Sequence, residues 1–266
     1  MKWILRWKIL KIGSKIFEWG KKTYVMGVIN VTPDSFSGDG VSQNVDEALA
    51  LASNFKDFGV DIIDIGGEST RPSSRYTNVK DVTVQEEISR VIPVISQIKK
   101  HFDIPISIDS RRAAVVNNAI EVGADMINDV SMMNYDPEMI NVISDLSIPF
   151  VLTHNKKIKD GNVVKEIKRD FEESISKLRN TKFDLSNLII DPGIGFNKSS
   201  KQSILILREL DKLKFGFPLL IGTSRKSHIG DVLNLPVSDR LEGTAATVSI
   251  SIDRGADIIR VHDVKE

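Results

Sequence analysis

Short apolar runs in this chain repeatedly end on residues that can bind or move charge. "YVMGVINV" carries Asn30, "DIIDIGG" leads to Glu68, "PISIDS" carries Asp109, and "ADMINDVS" carries Asn128 and Asp129. "PFVLTH" ends on His154 and "NLIIDPG" carries Asp191. "PLLIGTS" ends on Thr223 and Ser224, with Lys226 just beyond, and "ADIIRVHD" carries Arg260 and His262. Helix capping would account for one or two of these, Asp109 and Asp191 above all. It does not account for a polar group at every run. Asp109, Asn128 and Asp191 make a carboxylate–amide set able to read the donor and acceptor edge of a flat heterocycle. Lys226, Arg260 and His262 make a cationic arc suited to phosphate or pyrophosphate. Arg260 and His262 stand two apart on one run, so on a strand they face the same side. His154 has no such companion and reads as structural.

Two loops add to this set. In "VINVTPDSFSGDG" an apolar strand gives way to turn residues, with Asp34 and Phe36 among polar neighbours and glycines. That pattern reads as a long, mobile loop that carries one aromatic and one carboxylate. In "GGESTRPSS" the glycines free the backbone beside Thr70 and Arg71, as an anion clamp requires. With no cysteine and four histidines, the composition argues against a structural zinc site. A Mg²⁺ carried in by a pyrophosphate substrate and touching Asn30 fits the residue types better.

The elements that must hold these residues follow one rhythm. Near-continuous apolar runs, as in strands buried on both faces, alternate with amphipathic stretches such as "VDEALALASNFKDFG" and "VQEEISRVIPVISQIKKHF". Pro93 should kink the second of these. Gly59, Gly123 and Gly255 stand where helix C-caps belong. Eight strands in strict alternation predict a (β/α)8 barrel, whose site lies at the C-terminal strand ends; a doubly wound open sheet is the alternative. Ahead of it, "LKIGSKIFEW" alternates around Gly13 and predicts a β-hairpin over residues 9–23.

Composition narrows the function classes. The 266 residues are 41% hydrophobic, enough for a large core, and carry no net charge. A nucleic-acid partner would call for a basic surplus. The lack of cysteine points to a reducing cytoplasm. No apolar stretch has the length of a membrane span, and Lys2, Arg6, Lys8 and Lys11 break up any signal-peptide core. Trp3 and Trp7 among basic residues leave a membrane-surface role for residues 1–8 as a secondary reading.

Taken together, "MGVINVTPDSFSGDG", "DIIDIGGESTRPSS", "ISIDSRR", "GADMINDVS", "LIIDPGIGF", "GTSRKSHIG" and "RVHDV" resemble the dihydropteroate synthase family, in the family's order and from about Lys11 onward. The resemblance implies a single pterin-binding TIM barrel over residues 1–266. It implies condensation of 6-hydroxymethyl-7,8-dihydropterin pyrophosphate with p-aminobenzoate in folate synthesis, by an SN1-like path. Asp109, Asn128, Asp191 and Lys226 match the family's pterin ligands. Asn30, Arg260 and His262 match its pyrophosphate and Mg²⁺ site. Thr70, Arg71, Pro72, Phe196 and Ser224 match its p-aminobenzoate surroundings, where sulfonamides should compete. Lys226, Asp34, Phe36 and Arg71 are the expected catalytic set. A methyl-transfer module with a corrinoid partner, which needs neither the cationic arc nor the "TPDSF" loop, and a non-catalytic pterin binder, favoured only by the altered "THNKK" segment and the short end, are the alternatives. The chain departs from the family at "THNKKIKDGN", and the final helix is missing or truncated after the last strand. That absence should bare the outer side of the first and last strands, around Val25, Ile258 and Val261. The segment from Trp3 to Leu10 folding back would be one remedy; a homodimer packed near this seam is the expected one.

Overall fold

The computed structural model describes residues 8–32, 41–68, 82–159 and 161–266. It opens with an antiparallel hairpin of β1 (Ile9–Ile12) and β2 (Lys15–Glu18). Gly13 turns it at φ +58°, and a Cβ there would stand 2.8 Å from the Asp125 carboxylate, so the position requires glycine on both counts.

The parallel strands follow: β3 (Tyr24–Asn30), β4 (Ile62–Gly66), β5 (Ile106–Asp109), β6 (Met126–Asp129), β7 (Phe150–Thr153), β8 (Leu188–Asp191), β9 (Leu220–Ile221) and β10 (Ile258–Val261). The sheet runs β8-β7-β6-β5-β4-β3-β10-β9. A parallel bridge from Ile190 to Leu219 joins its two ends, with the Ile190 N–H donating to Pro218 O at 3.0 Å. The sheet is therefore a closed barrel, and the open-sheet alternative is set aside. Each crossover carries helix: α1 (Val41–Asp57), α2 (Val84–His101), α3 (Ala113–Glu121), α4 (Met139–Leu146), α5 (Val163–Arg179) and α6 (Ser200–Arg208). The β9–β10 crossover carries two, α7 (Ser227–Leu233) and α8 (Leu241–Asp253). Capping boxes at Thr83–Glu86 and Ser199–Gln202 start α2 and α6. α2 runs on through Pro93. Gly59, Gly123 and Gly255 take positive φ after α1, α3 and α8, as their capping role demands.

Strand alternation sorts the residues into layers. Met26, Ile62, Met126, Val151, Ile189, Leu220 and Ile258 fill the barrel's lower interior, and the hairpin's Phe17 and Trp19 pack beneath them with Tyr24. The opposite parity, including Ile29, Ile63, Ile65, Ile108, Phe150 and Ile190, packs outward against the helices. Two residues up β4, β6, β7, β8 and β10 from the lower layer stand Asp64, Asn128, Thr153, Asp191 and Arg260, and the candidate site begins there.

The expected bare seam is corrected. No helix follows β10 within residues 262–266, yet the outer face is covered. Ile258 points into the barrel, and Ile259 and Val261 are buried. Outside Gly27, the Phe55 ring and the Val264 side chain come so close that a Cβ would lie 2.6 and 2.9 Å from them. Lys265 holds its ammonium 5.5 Å from the Phe58 ring centroid. The residues just after β10 thus pack back on α1 and occupy the place where a helix was missed.

Candidate active site

A carboxylate deep in an apolar barrel is costly unless a cation and hydrogen bonds meet it. Asp64, fully buried on β4, has both. Its Oδ2 accepts from Arg260 Nε at 2.6 Å and from Asn128 Nδ2 at 3.1 Å. Arg260 reaches on through Nη2 to Asp109 Oδ2 at 2.7 Å. Asp64 therefore ties β4, β6 and β10 together, and β5 joins through Asp109. The sequence reading passed over Asp64. Its signal was present: an acid at the inward parity of an apolar run, two residues after Ile62. The second oxygens of Asp64 and Asp109 are buried and meet no partner among the described residues; the same holds for Ser107 Oγ, Thr153 Oγ1 and Thr223 Oγ1. Native interiors rarely leave such atoms unmet, so this layer is built to receive hydrogen-bonding groups.

Burial sets the site's electrostatics. It pushes the Asp109 carboxyl up to about 7 although Arg260 pulls it down. Asp191 is raised by burial too, against the opposing pull of Lys226. Burial lowers Lys226 to about 8, with Asp191 the largest influence the other way. Lys226 Nζ donates to Ile194 O at 2.5 Å and lies 4.6 Å from the Phe196 ring centroid, a cation–π distance. Phe196 reaches this place because Gly193 (φ +68°) and Gly195 (φ +82°) fold the loop after β8 back on itself; Asp191 Oδ1 accepts from the Gly193 N–H at 2.8 Å.

At the closing strands, Ser224 Oγ accepts from the His262 backbone N–H at 3.2 Å and lies 2.9 Å from His262 Nδ1. The two expected subsites, aryl amine at Ser224 and anion at His262, are hydrogen-bonded neighbours. Asn30 ends β3, half-buried, in register with Gly66. The structure thus brings Asp109, Asn128, Asp191, Lys226, Arg260, Ser224, His262, Asn30 and Phe196 to one end of the barrel. Asp34, Phe36, Thr70, Arg71 and Pro72 lie outside the described residues. The stems of the second loop are held by groups the sequence reading did not pick. Arg112 donates to Glu68 Oε2 at 2.7 Å and to Val82 O at 2.7 Å, and Arg111 donates to Glu68 at 2.9 Å.

His154 is structural, as its sequence context indicated. It is fully buried, its Nε2 lies 3.0 Å from Asp170 Oδ2, and its ring meets Phe171 edge-on at 5.9 Å. Burial lowers it to about 4 despite Asp170. The departing segment after it is tied down: Asn155 donates to Val130 O at 2.7 Å and Lys156 pairs with Asp170 at 3.3 Å.

A closed parallel barrel with a buried acid–amide layer and adjacent cations at one end defines a class. Residues 26–262 match the family described as pterin binding enzyme, and the chain belongs to that family. Its relatives are more specific. Dihydropteroate synthase of Clostridium beijerinckii is 45% identical over 260 residues, 97% of this chain and 95% of that one. The crystal structure of the Clostridium difficile dihydropteroate synthase, determined in the presence of pteroic acid, superposes with a TM-score of 0.88 at 44% identity, covering 94% of each chain. The Xanthomonas albilineans dihydropteroate synthase in complex with 7,8-dihydropteroate gives 0.87 at 36% identity, over 97% of this chain and 94% of that one.

Proposed function

We infer that this barrel is a dihydropteroate synthase of folate biosynthesis. It joins 6-hydroxymethyl-7,8-dihydropterin pyrophosphate to p-aminobenzoate and releases pyrophosphate. The observation that carries the reading is the buried layer of unmet acceptors on Asp64 and Asp109, set beside Arg260 and near Lys226 and Asp191. A pterin edge offers the N–H donors those carboxylates lack, while Asn128 and Lys226 supply donors for its acceptors.

The chemistry asks three things of the chain. The methylene carbon–oxygen bond breaks, and its electron pair leaves with pyrophosphate; Arg260, His262 and Asn30 are the groups to hold that anion. Arg260 has guanidinium donors beyond those engaged by Asp64 and Asp109. The resulting pterin cation is stabilised by its own ring and by nearby carboxylates, and must be kept from water; Asp34 and Phe36 are proposed for that role. The aryl amine's lone pair then forms the carbon–nitrogen bond, and the nitrogen sheds a proton. Thr70, Arg71, Pro72, Phe196 and Ser224 are proposed to seat that amine, and sulfonamides to compete for the same seat. Among the described residues no group of three or more acidic or histidine side chains could cage a metal. A Mg²⁺ would enter with the pyrophosphate substrate, where Asn30 would help hold it and the ion would offset the charge of the leaving anion.

A coupled assay tests the reading. Pyrophosphate release should require both substrates and match dihydropteroate one for one. No dihydropteroate with both substrates present, or pyrophosphate release in their presence that does not match it, would overturn it. We also propose a homodimer, on different grounds from the seam. On α7, α8 and the turn between them, Val232 (61% exposed), Leu233, Val237, Ile250 and Ile252 face outward. Sedimentation should show a dimer that Ile250→Lys weakens; a monomer at all concentrations would reject it. No described helix is long and apolar enough to cross a membrane, and we propose the cytoplasm as the enzyme's compartment, which cell fractionation can check.

A further inference from the structure

Lys198 belongs to none of the residue groups assigned so far. Its side chain is buried, 8% exposed, between the loops that follow β7 and β8. Its ammonium donates to His154 O at 2.9 Å and to Phe196 O at 3.0 Å. Next to it, Asn197 Nδ2 lies 2.9 Å from both the backbone and the side-chain oxygen of Asn155. The loops also approach at Gly193, where a Cβ would sit 1.9 Å from His154 O. The far side of the same loop faces the site: Ile194 O accepts from Lys226, and the Phe196 ring lies under the Lys226 ammonium.

A buried ammonium is retained only where hydrogen bonds meet it, and here two backbone carbonyls do. Burial lowers Lys198 to about 7, with Asp191 pulling the other way. A neutral amine still carries two N–H donors, one for each carbonyl, so this tie holds in either protonation state.

We propose that Lys198 is a positioning residue for the aryl-amine side of the site. By anchoring residues 192–198 to the end of β7, it holds the Phe196 ring and the Ile194 carbonyl at their places against Lys226. The inference rests on the synthase reading, so wild-type turnover is established first; its failure would count against that reading and not against Lys198. Given turnover, Lys198→Met should raise the KM for p-aminobenzoate about tenfold, the scale of one lost charge-assisted hydrogen bond. The KM for the pterin pyrophosphate should rise clearly less, because Asp64, Asn128 and Arg260 are held apart from this loop and only Lys226 and Asp191 of the proposed pterin ligands touch it. Lys198→Gln, which keeps donor capacity on a shorter stem, should fall between. Thermal melting of each variant and direct titration of p-aminobenzoate in the presence of pyrophosphate accompany the kinetics. An unchanged p-aminobenzoate KM in a folded variant, or an equal rise in both KM values, overturns the proposal. Failure of both variants to fold also overturns it, since the lysine would then serve stability alone.

Discussion

At the scale of single residues, the two shifted groups at the barrel mouth set a pH window. Asp109 is raised to about 7, so it is a carboxylate only above that value. Lys226 is lowered to about 8, so it is an ammonium only below that value. If Asp109 accepts from the pterin and Lys226 donates, kcat/KM should form a narrow bell peaking between the two. Asp109→Asn should remove the acid limb along with most of the activity; a limb that survives the change belongs to another group. Lys226→Ala should lower kcat/KM by about 30- to 1,000-fold, the roughly 2–4 kcal/mol that a charged donor contributes at such a site. Near wild-type kinetics for that variant would remove Lys226 from the chemistry.

At the scale of elements, the β8 loop depends on backbone that no side chain can replace. Gly193 combines φ +68° with a Cβ position 1.9 Å from a backbone carbonyl, which cannot move aside as a flexible side chain would. Gly20, at φ +85°, has nothing within 4 Å of its Cβ position. Gly20→Ala should therefore cost only the ~1–2 kcal/mol of left-handed strain. Gly193→Ala should cost clearly more, and raise the p-aminobenzoate KM as well. Urea melts compare the two; equal losses would mean that the loop yields easily. The hairpin is the other self-contained element. Phe17, Trp19 and Tyr24 stack with ring centroids 4.6 to 5.8 Å apart. They close the barrel floor opposite the site, so that floor carries stability and the mouth carries chemistry.

For the whole molecule, two buried histidines make stability depend on acid. His154 and His228 are each lowered to about 4, by burial first. Neither ring nitrogen of His228 has a partner among the described residues. The unfolded chain binds protons at about 6.5, above the folded value. Stability is thus fully present above about pH 6.5 and is lost as pH falls toward 4. Each histidine accounts for on the order of 3 kcal/mol over that span. Calorimetry should show the melting temperature falling from pH 7 to pH 5, and His228→Phe should flatten that fall. An equally steep fall in the variant would assign the acid sensitivity elsewhere.

Much of this architecture was legible in the chain itself, because the information was local. Strand period, helix caps and turn glycines act over a few residues, and they marked all eight strands and the polar ends that form the site. The spacing of Arg260 and His262 gave their shared side from parity alone. What tertiary structure decided was partnership. Arg260 and Asp64 are 196 positions apart, and Lys226 and Ile194 are 32 apart. Parity says that each residue turns inward, but only closure of the barrel sets which strand stands opposite which. Ile258, expected on the outer seam, points into the barrel, as its shared parity with Arg260 already implied. Lys198 left no trace at all in the pattern, since a lysine beside a helix N-cap looks like any solvated charge until two loops fold over it.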